Sequence, residues 1–342
     1  MQLAKTKLSE SLILVGYSHN WCLVDLITLH DIEEAVEAIR DEVNKTPLIP
    51  SLFLSELCGG EVYLKLENLQ VTNSFKIRGA LNRMMHLTPA EVRRGVVAAS
   101  SGNHAQAVAL GAEKLNLSAT VVVPESTPRI KVEKIRRHNV NLVLHGKNFD
   151  QAEQYARELA KQDELTFISA YNDPYVVAGQ GTIGLEIVED LPKVNKIIVP
   201  VSGGGLLAGV ATAAKSLNPN IEILGVQAEN TPAMYYSFRA GKVIEAEMKA
   251  TIADGLDGNI EDGAITFELI LKYVDEVLLF DEETIRKSIR LLWNEEHQVT
   301  EGAGAISISP IVRTPGRFAR SKTVAVISGG NIDDAVFKSI VA

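Results

Sequence analysis

The stretch KIIVPVSGGGLLAGVATAAKSL, residues 196–217, combines a short run of apolar and β-branched residues, three consecutive glycines and a longer helical pattern. Its apolar run does not alternate in polarity, which is typical of a strand buried on both faces of a parallel sheet. Gly203, Gly204 and Gly205 remove every β-carbon from the turn between strand and helix. The stretch therefore predicts a strand, a tight turn and a helix, which is the repeating unit of an α/β fold.

The same alternation runs along most of the chain. Further predicted strands are GVVAAS (95–100), ATVVVP (119–124), VNLVLHG (140–146), LTFISA (165–170), IEILGVQAE (221–229) and KTVAVIS (322–328). Predicted helices between or after them are HAQAVALGAEKL (104–115), PRIKVEKIRRH (128–138), FDQAEQYARELAKQ (149–162), GTIGLEIVEDL (181–191) and IDDAVFKSIVA (332–342). We expect parallel-rich open sheets flanked by helices and built from right-handed βαβ units.

Length and composition limit the possible classes of protein. At 342 residues the chain exceeds the roughly 250–300 residues of a single core, so two lobes are expected. A net charge of −9 argues against a nucleic-acid partner, and no run of about 18 apolar residues predicts a membrane span. Cys22 and Cys58 are too few for a disulfide framework or a zinc cluster, which fits a cytoplasmic protein. Residues 1–24 are interpreted as an extension of unknown purpose.

Three turns that follow predicted strands are rich in serine and glycine: SSGNHA (100–105), SGGGLLAG (202–209) and SGGN (328–331). In open α/β sheets, ligands bind beyond the carboxyl ends of the strands, where such turns lie. The triple glycine lets backbone N–H groups surround an anion at the amino terminus of a helix. A phosphate is the natural occupant of that turn.

One alternative is that the glycines bind the pyrophosphate of a dinucleotide in an oxidoreductase. The spacing Gly203-x-Gly205-x-x-x-Gly209 is one residue longer than the usual fingerprint, and Glu229 follows at about the distance of a ribose-binding acid. This alternative gives no role to the other two turns. It also gives none to VTNSFKIRGA (71–80), where Lys76 would by default carry a solvated charge.

From Asp25 to its end the chain resembles the pyridoxal 5′-phosphate (PLP) enzymes of the tryptophan-synthase-β fold type, fold type II. It is most similar to the serine/threonine dehydratases, with serine racemase a close cousin. The matching segments are NSFKIRGA, SSGNHAQ, YNDPYVVAGQGTIGLEI, SGGGLLAG, VQAEN, TIADG, TEGAGA and SGGN. The resemblance implies a two-lobed homo-oligomer, dimer or tetramer, with a large PLP-binding domain (25–90 and 170–342) and a small domain (91–169).

The resemblance also implies a role for each turn. Lys76 would link covalently to the cofactor aldehyde and later take the Cα proton of the substrate, with Phe75 beside the pyridine ring. Asn103 would hydrogen-bond the phenolic oxygen of PLP, and Ser328 would meet the pyridine nitrogen. The implied phosphate site is Gly203, Gly204, Gly205 and Leu206, and the implied substrate site is Ser100, Ser101, Gly102, Asn103 and His104.

A hydroxyl at position 328, unlike a carboxylate, does not keep the pyridine nitrogen protonated, so the ring withdraws electrons more weakly. Prompt loss of a β-substituent is then favoured over transamination. The implied reaction is β-elimination, the dehydration and deamination of a β-hydroxy amino acid as a small-molecule amino-acid substrate, giving 2-oxobutyrate and ammonia from L-threonine and pyruvate from L-serine. Phenylserine and hydroxyectoine-derived substrates stay open, because pocket size is not readable from one sequence.

Two departures from the family matter. Dehydratases of this type often carry alanine where Ser101 stands, whereas serine racemase has serine there as a proton donor, so racemisation is a live hypothesis. The racemase's two metal-binding carboxylates align with Gln227 and Ala233, and Glu229 alone is a poor site for a divalent cation. We therefore expect no metal ligated as in the racemase. Gly255 and Glu301 are candidates to line the pocket.

Overall fold

A computed structural model describes residues 27–127 and 129–342. The predicted extension 1–24, with Cys22, lies outside the described residues, as do residues 25 and 26. The strands are Leu48–Ser51 (β1), Glu61–Leu66 (β2), Val96–Ala99 (β3), Ala119–Val123 (β4), Asn141–Leu144 (β5), Thr166–Phe167 (β6), Lys196–Pro200 (β7), Glu222–Ala228 (β8), Glu276–Phe280 (β9) and Lys322–Ile327 (β10).

The helices are Leu29–Ile39 (α1), Leu52–Cys58 (α2), Lys76–Met85 (α3), Pro89–Arg94 (α4), Asn103–Lys114 (α5), Arg129–Arg136 (α6), Phe149–Gln162 (α7), Pro174–Asp190 (α8), Gly205–Leu217 (α9), Ala233–Ala240 (α10), Ile265–Tyr273 (α11), Glu282–Glu296 (α12), Gly302–Ala305 (α13), Ser309–Arg313 (α14) and Asp334–Val341 (α15). A short 3₁₀ turn spans Asp254–Leu256. Within the described residues, none of these helices has the length and apolar character needed to cross a membrane.

The strands form two open sheets. A six-stranded sheet has the order β1-β2-β10-β7-β8-β9, with β1 antiparallel to β2 and every other pair parallel. A four-stranded, fully parallel sheet has the order β5-β4-β3-β6 and lies within residues 91–169. The predicted α/β fold with parallel-rich sheets is confirmed. The exact domain boundaries stay a prediction.

The unbroken apolar runs of the central strands have a direct structural reason. Along β7, Ile197 and Val199 pack in one hydrophobic core, while Ile198 between them packs in a second core that is separate from it. Neighbouring β10 divides in the same way, with Val324 in the first core and Ala325 in the second. Because successive side chains of a strand point to opposite faces, both faces of the six-stranded sheet are covered.

Several features differ from the sequence prediction, and strands β2 and β9 had no predicted counterpart. The segment predicted as a strand over 165–170 is a strand only at Thr166–Phe167. Helix α8 begins at Pro174 and not at 181, because Asp173 caps the backbone N–H of Val176 and proline suits the first helical position. The antiparallel edge strand β1 had no predicted counterpart.

Helix α3 is fixed by a buried group of charges that we call the Arg78 cluster: Arg78, Glu67, Glu186 and Lys65. The Arg78 guanidinium donates to both oxygens of Glu67 at 2.9 Å and to Glu186 at 2.6 Å. Lys65 donates to Glu186 at 2.5 Å. The cluster ties α3 to the end of β2 and to α8, two residues from Lys76.

Both cations of the Arg78 cluster are almost completely removed from solvent. Burial alone would lower the pKa of Arg78, but Glu67 and Glu186 outweigh it and raise the pKa above its ordinary value. Removing one partner of a buried ion pair is costly, because the other charge stays buried without compensation. The cluster therefore makes the position of α3 depend on Arg78.

We expect Arg78→Ala to lower the free energy of unfolding by about 3–5 kcal/mol, because it leaves the Glu67 carboxylate buried without its cationic partner. Urea denaturation followed by circular dichroism measures this. Arg313→Ala is the matched control, since Arg313 forms a half-exposed pair with Asp281 at 3.2 Å and should cost about 1 kcal/mol or less. Equal losses in the two variants would contradict the assignment.

Candidate active site

Two of the three serine- and glycine-rich turns, SSGNHA and SGGN, meet around the amino terminus of α3. Ser74 forms an isolated antiparallel bridge with Gly329, and the Phe75 N–H donates to the Ser328 carbonyl at 3.1 Å. The turn after β3 joins the same group, because Asn331 Nδ2 donates to Asn103 Oδ1 at 2.8 Å. Segments from both sheets therefore converge at the carboxyl ends of β3 and β10, as the predicted topology required.

The glycine turn after β7 has the geometry of an anion cradle. Gly204 has φ +96°, a conformation that favours glycine, and it directly precedes α9. Thr266 Oγ1 donates to the Gly203 carbonyl at 2.6 Å and so fixes the turn. Within the described residues, the N–H groups of Gly205 and Leu206 find no acceptor, and no side chain caps the helix. A phosphate would satisfy these groups.

Tyr171 packs directly against this turn, although sequence reasoning gave it no role. A β-carbon at Gly203 would lie 2.6 Å from the Tyr171 ring, so only glycine allows this contact. The phenol oxygen accepts the Glu261 N–H at 3.1 Å, and burial raises the pKa of Tyr171 well above its ordinary value. The Tyr171 ring therefore covers one side of the glycine turn, and its phenol is neutral.

Lys76 is the first residue of α3, and its side chain turns into the site. Its Nζ donates to the Ala170 carbonyl at 2.9 Å and lies 5.0 Å from the centre of the Phe75 ring. Loss of solvation lowers the pKa of Lys76 to about 8, although the negative charge of Glu301 opposes this. Near physiological pH a far larger fraction of this amine than of an ordinary lysine is therefore neutral, and so nucleophilic.

His104 is buried on the first turn of α5. Its Nε2 lies 2.9 Å from the Ile168 carbonyl, so that nitrogen carries a proton and donates it. Burial, with the nearby Lys76 charge, lowers the pKa of His104 to about 4. The neutral imidazole thus faces Ile168, and any contact with a substrate carboxylate falls to its backbone N–H. Among residues 27–127 and 129–342, no side chain caps the start of this helix.

The predicted serines lie near the same centre. Ser100 and Ser101 are half-buried at the end of β3, and Ser100 Oγ accepts the Gly102 N–H at 3.1 Å. Ser328 is buried, and its hydroxyl donates to the Ala303 carbonyl at 3.2 Å, a long hydrogen bond. The expected roles of these serines toward substrate and cofactor stay predictions.

Asn103 is held by two residues whose part sequence reasoning did not foresee. Its Nδ2 donates to Glu301 Oε1 at 2.7 Å, and its Oδ1 accepts from Asn331. Glu301 stood among the candidates to line the pocket, together with Gly255, which lies against it. Asn331 ends the SGGN turn. Its position directly after two glycines was the one feature of the sequence that could have indicated a role in the site.

The donor set fits PLP. It offers a nucleophilic lysine, an aromatic ring beside it, unpartnered N–H groups at a helix start for a phosphate, and an amide for a phenolic oxygen. Among the described residues, no group of three or more His, Cys, Asp or Glu side chains is arranged to hold a metal ion. The arrangement therefore suits an organic cofactor that carries a phosphate and an aldehyde.

Fold and site together define a two-sheet α/β enzyme built around one lysine and a phosphate cradle. The family model described as "Pyridoxal-phosphate dependent enzyme" matches residues 39–329. The chain belongs to this family, and its cofactor is PLP. The resemblance on which the fold type rested is confirmed, and the dinucleotide alternative is wrong.

Known proteins similar to this chain include both dehydratases and racemases. The L-threonine ammonia-lyase of Thermotoga maritima is 48% identical over 309 residues, which are 90% of this chain and 76% of that protein. The processed form of threonine deaminase isoform 2 from Solanum lycopersicum is 34% identical with a TM-score of 0.87, over 91% of this chain and 86% of that one. Maize serine racemase is 32% identical with the same TM-score of 0.87, over 92% and 96%.

We expect the pseudo-first-order rate at which Lys76 captures added PLP to rise with pH and to level off above about pH 8, because only the neutral amine attacks an aldehyde. Stopped-flow absorbance at a fixed PLP concentration measures this rate. Lys76→Ala should show no fast phase. A rate that keeps rising towards pH 10.5, the ordinary pKa of lysine, would show that the amine is solvated.

Proposed function

We propose that this enzyme is an ammonia-lyase that converts L-threonine to 2-oxobutyrate and ammonia, and L-serine to pyruvate and ammonia. The observation that carries the proposal is the 48% identity with an L-threonine ammonia-lyase over 90% of this chain. The site supports it, because a lysine with a pKa of about 8 is suited to take and return a proton at neutral pH.

In this proposal each turn binds a different part of the cofactor or the substrate. Gly203, Gly204, Gly205 and the Leu206 N–H hold the cofactor phosphate, Phe75 lies beside the ring, and Asn103 and Ser328 bind its phenolic oxygen and ring nitrogen. Ser100, Ser101, Gly102, Asn103 and the His104 N–H form the site for the substrate carboxylate. The start of α5 favours that anion through its backbone N–H groups.

PLP, when bound, stabilises the negative charge that develops at the substrate Cα. The Lys76 amine removes the Cα proton, the Cβ–O bond breaks, and the departing hydroxyl takes a proton and leaves as water. Water later replaces nitrogen at the former Cα, which gives the 2-oxo acid and ammonia. Overall one molecule of water leaves and one is consumed, so the reaction needs no oxidant or reductant.

Ser101 favours a second activity, racemisation of serine. A hydroxyl at this position can deliver a proton to the face of Cα opposite to Lys76, and maize serine racemase shares the fold at 32% identity. Ser101→Ala should then abolish racemisation and keep elimination. If both activities fall together, Ser101 acts in substrate binding and not in proton transfer.

The decisive experiment is turnover by the purified PLP-loaded protein. We expect 2-oxo acid from L-threonine and L-serine, with less from L-phenylserine and D-serine, measured in a coupled assay. Lys76→Ala should lower kcat about 10²–10⁴-fold, the usual contribution of a positioned proton-transfer group. Lys272→Ala, a change of an exposed lysine on α11, should leave kcat unchanged.

Two results would contradict the proposal. A wild-type protein that binds PLP and releases no 2-oxo acid from L-threonine would not be this ammonia-lyase. Full turnover by Lys76→Ala would remove Lys76 from the mechanism.

We also infer a cytoplasmic enzyme that works as a homo-oligomer, dimer or tetramer, on a small-molecule substrate and without a nucleic-acid or membrane partner. Large apolar side chains exposed on α2, α12 and α15 support the oligomer, among them Leu52, Trp293 and Val336. Sedimentation equilibrium determines the oligomeric state.

A further inference from the structure

Glu301 is a buried carboxylate at the centre of the site, with no part in the proton transfers proposed above. It directly precedes α13, and its backbone N–H donates to the Gly329 carbonyl at 3.1 Å. A β-carbon at Gly329 would lie 2.3 Å from Glu301 Oε1. The second residue of the SGGN turn must therefore be glycine for this carboxylate to fit.

The Glu301 carboxylate fixes how the Asn103 amide is turned. Asn103 Nδ2 donates to Glu301 at 2.7 Å, while Asn103 Oδ1 accepts from Asn331 at 2.8 Å. Asn331 is itself held by the Thr72 carbonyl at 2.8 Å. A flipped amide would place its oxygen against the carboxylate and lose both hydrogen bonds. One N–H of the Asn103 amide is used on Glu301, and the other is left for a ligand.

The charges that act on Glu301 come from other elements. Burial raises the pKa of Glu301 to about 7, and the Asp254 charge raises it as well. The hydrogen bond from Asn103 and the positive charge of Lys131 oppose this rise. Lys76 is close enough for the Glu301 charge to raise its pKa, whereas His104 is neutral.

Asp254 and Lys131 also form a salt bridge with each other, which links the part of the chain that contains the six-stranded sheet to the part that contains the four-stranded sheet. Lys131 lies on α6 beside the four-stranded sheet, Asp254 lies in the 3₁₀ turn of the larger part, and their charged atoms are 3.1 Å apart. About a third of the Lys131 side chain and two thirds of the Asp254 side chain are exposed. Substitution of either residue therefore changes the charge near Glu301 without opening the core.

We propose that Glu301 is a positioning residue: as a carboxylate it holds the Asn103 amide with one N–H presented to the phenolic oxygen of PLP, and on protonation it releases that hold. The inference rests on the proposed function, in which Asn103 binds this oxygen. A charged acceptor makes a stronger hydrogen bond than a neutral one, so the loss of the charge loosens Asn103.

The test uses 4′-deoxypyridoxine 5′-phosphate, which has the phenolic oxygen and phosphate of PLP but no aldehyde for Lys76. Its Kd is measured by isothermal titration calorimetry between pH 5.5 and 8.5. In the wild-type protein we expect affinity to fall about tenfold as pH drops through about 7, where Glu301 takes a proton. Glu301→Gln should bind weakly throughout and lose this transition.

Glu222→Gln is the matched control, because Glu222 pairs with Lys196 and Arg317 at the opposite ends of the strands. It should keep the transition at the wild-type pH. Changes common to all variants come from the titration of the ligand itself.

Two surface variants decide the matter even if Glu301→Gln does not fold. Asp254→Asn removes a negative charge and should move the midpoint to lower pH. Lys131→Met removes a positive charge and should move it to higher pH, each by about half a pH unit. A purely structural role of Glu301 predicts no such opposite shifts.

The proposal is overturned if Glu301→Gln keeps the wild-type transition, or if both surface variants leave the midpoint unchanged. Failure of the proposed function would give a different experimental result from failure of this inference. In that case the wild-type protein shows the expected binding of the analogue and its pH transition, but does not deaminate L-threonine.

Discussion

The position of Lys76 depends on the Arg78 cluster. Arg78 follows Lys76 by two residues on α3, and its guanidinium bridges Glu67 after β2 and Glu186 on α8. A planar group with five donors is the one side chain that can satisfy two carboxylates at once in fixed directions. Because the Arg78 and Glu67 charges are almost completely removed from solvent, small movements of α3 are costly. The first turn of α3, which carries Lys76, is thereby held against the turns that end β10 and β3.

A rigid helix start has a chemical consequence. Lys76 extends from the Arg78-anchored helix into a region that is poor in water, and its pKa falls to about 8. Ion pairing keeps Arg78 charged, whereas the one hydrogen-bond partner of Lys76 among the described residues is the Ala170 carbonyl, and the Glu301 charge is more distant. The pKa values of these two basic side chains on the same helix are therefore shifted in opposite directions, that of Arg78 upward and that of Lys76 downward. One supports the structure, and the other is available for chemistry.

The elements that the sequence predicted correctly are ones with a clear local pattern. Unbroken apolar runs identified β7 and β10, and consecutive glycines identified the turn before α9, because backbone geometry at such a turn requires them. The partners of Arg78 were not predictable from pattern, since Glu67 and Glu186 lie 11 and 108 residues away and meet it only after packing. Glu301 and Asn331 were missed as partners of Asn103 for the same reason. Edge strand β1 was missed because an antiparallel edge lacks the pattern of a buried strand.

The overall fold does not choose between elimination and racemisation. A threonine deaminase and a serine racemase both match this chain with a TM-score of 0.87, so the same backbone serves both chemistries. The two chemistries differ in the fate of the substrate Cα, which racemisation reprotonates on the opposite face and elimination does not. Here the buried site brings together an amine with a pKa of about 8, a carboxyl with a pKa of about 7 and a neutral imidazole. Two of these groups titrate near neutral pH, and each acts on the other's charge. The protonation state of the Lys76 amine therefore depends on the charge of Glu301 and not on burial alone.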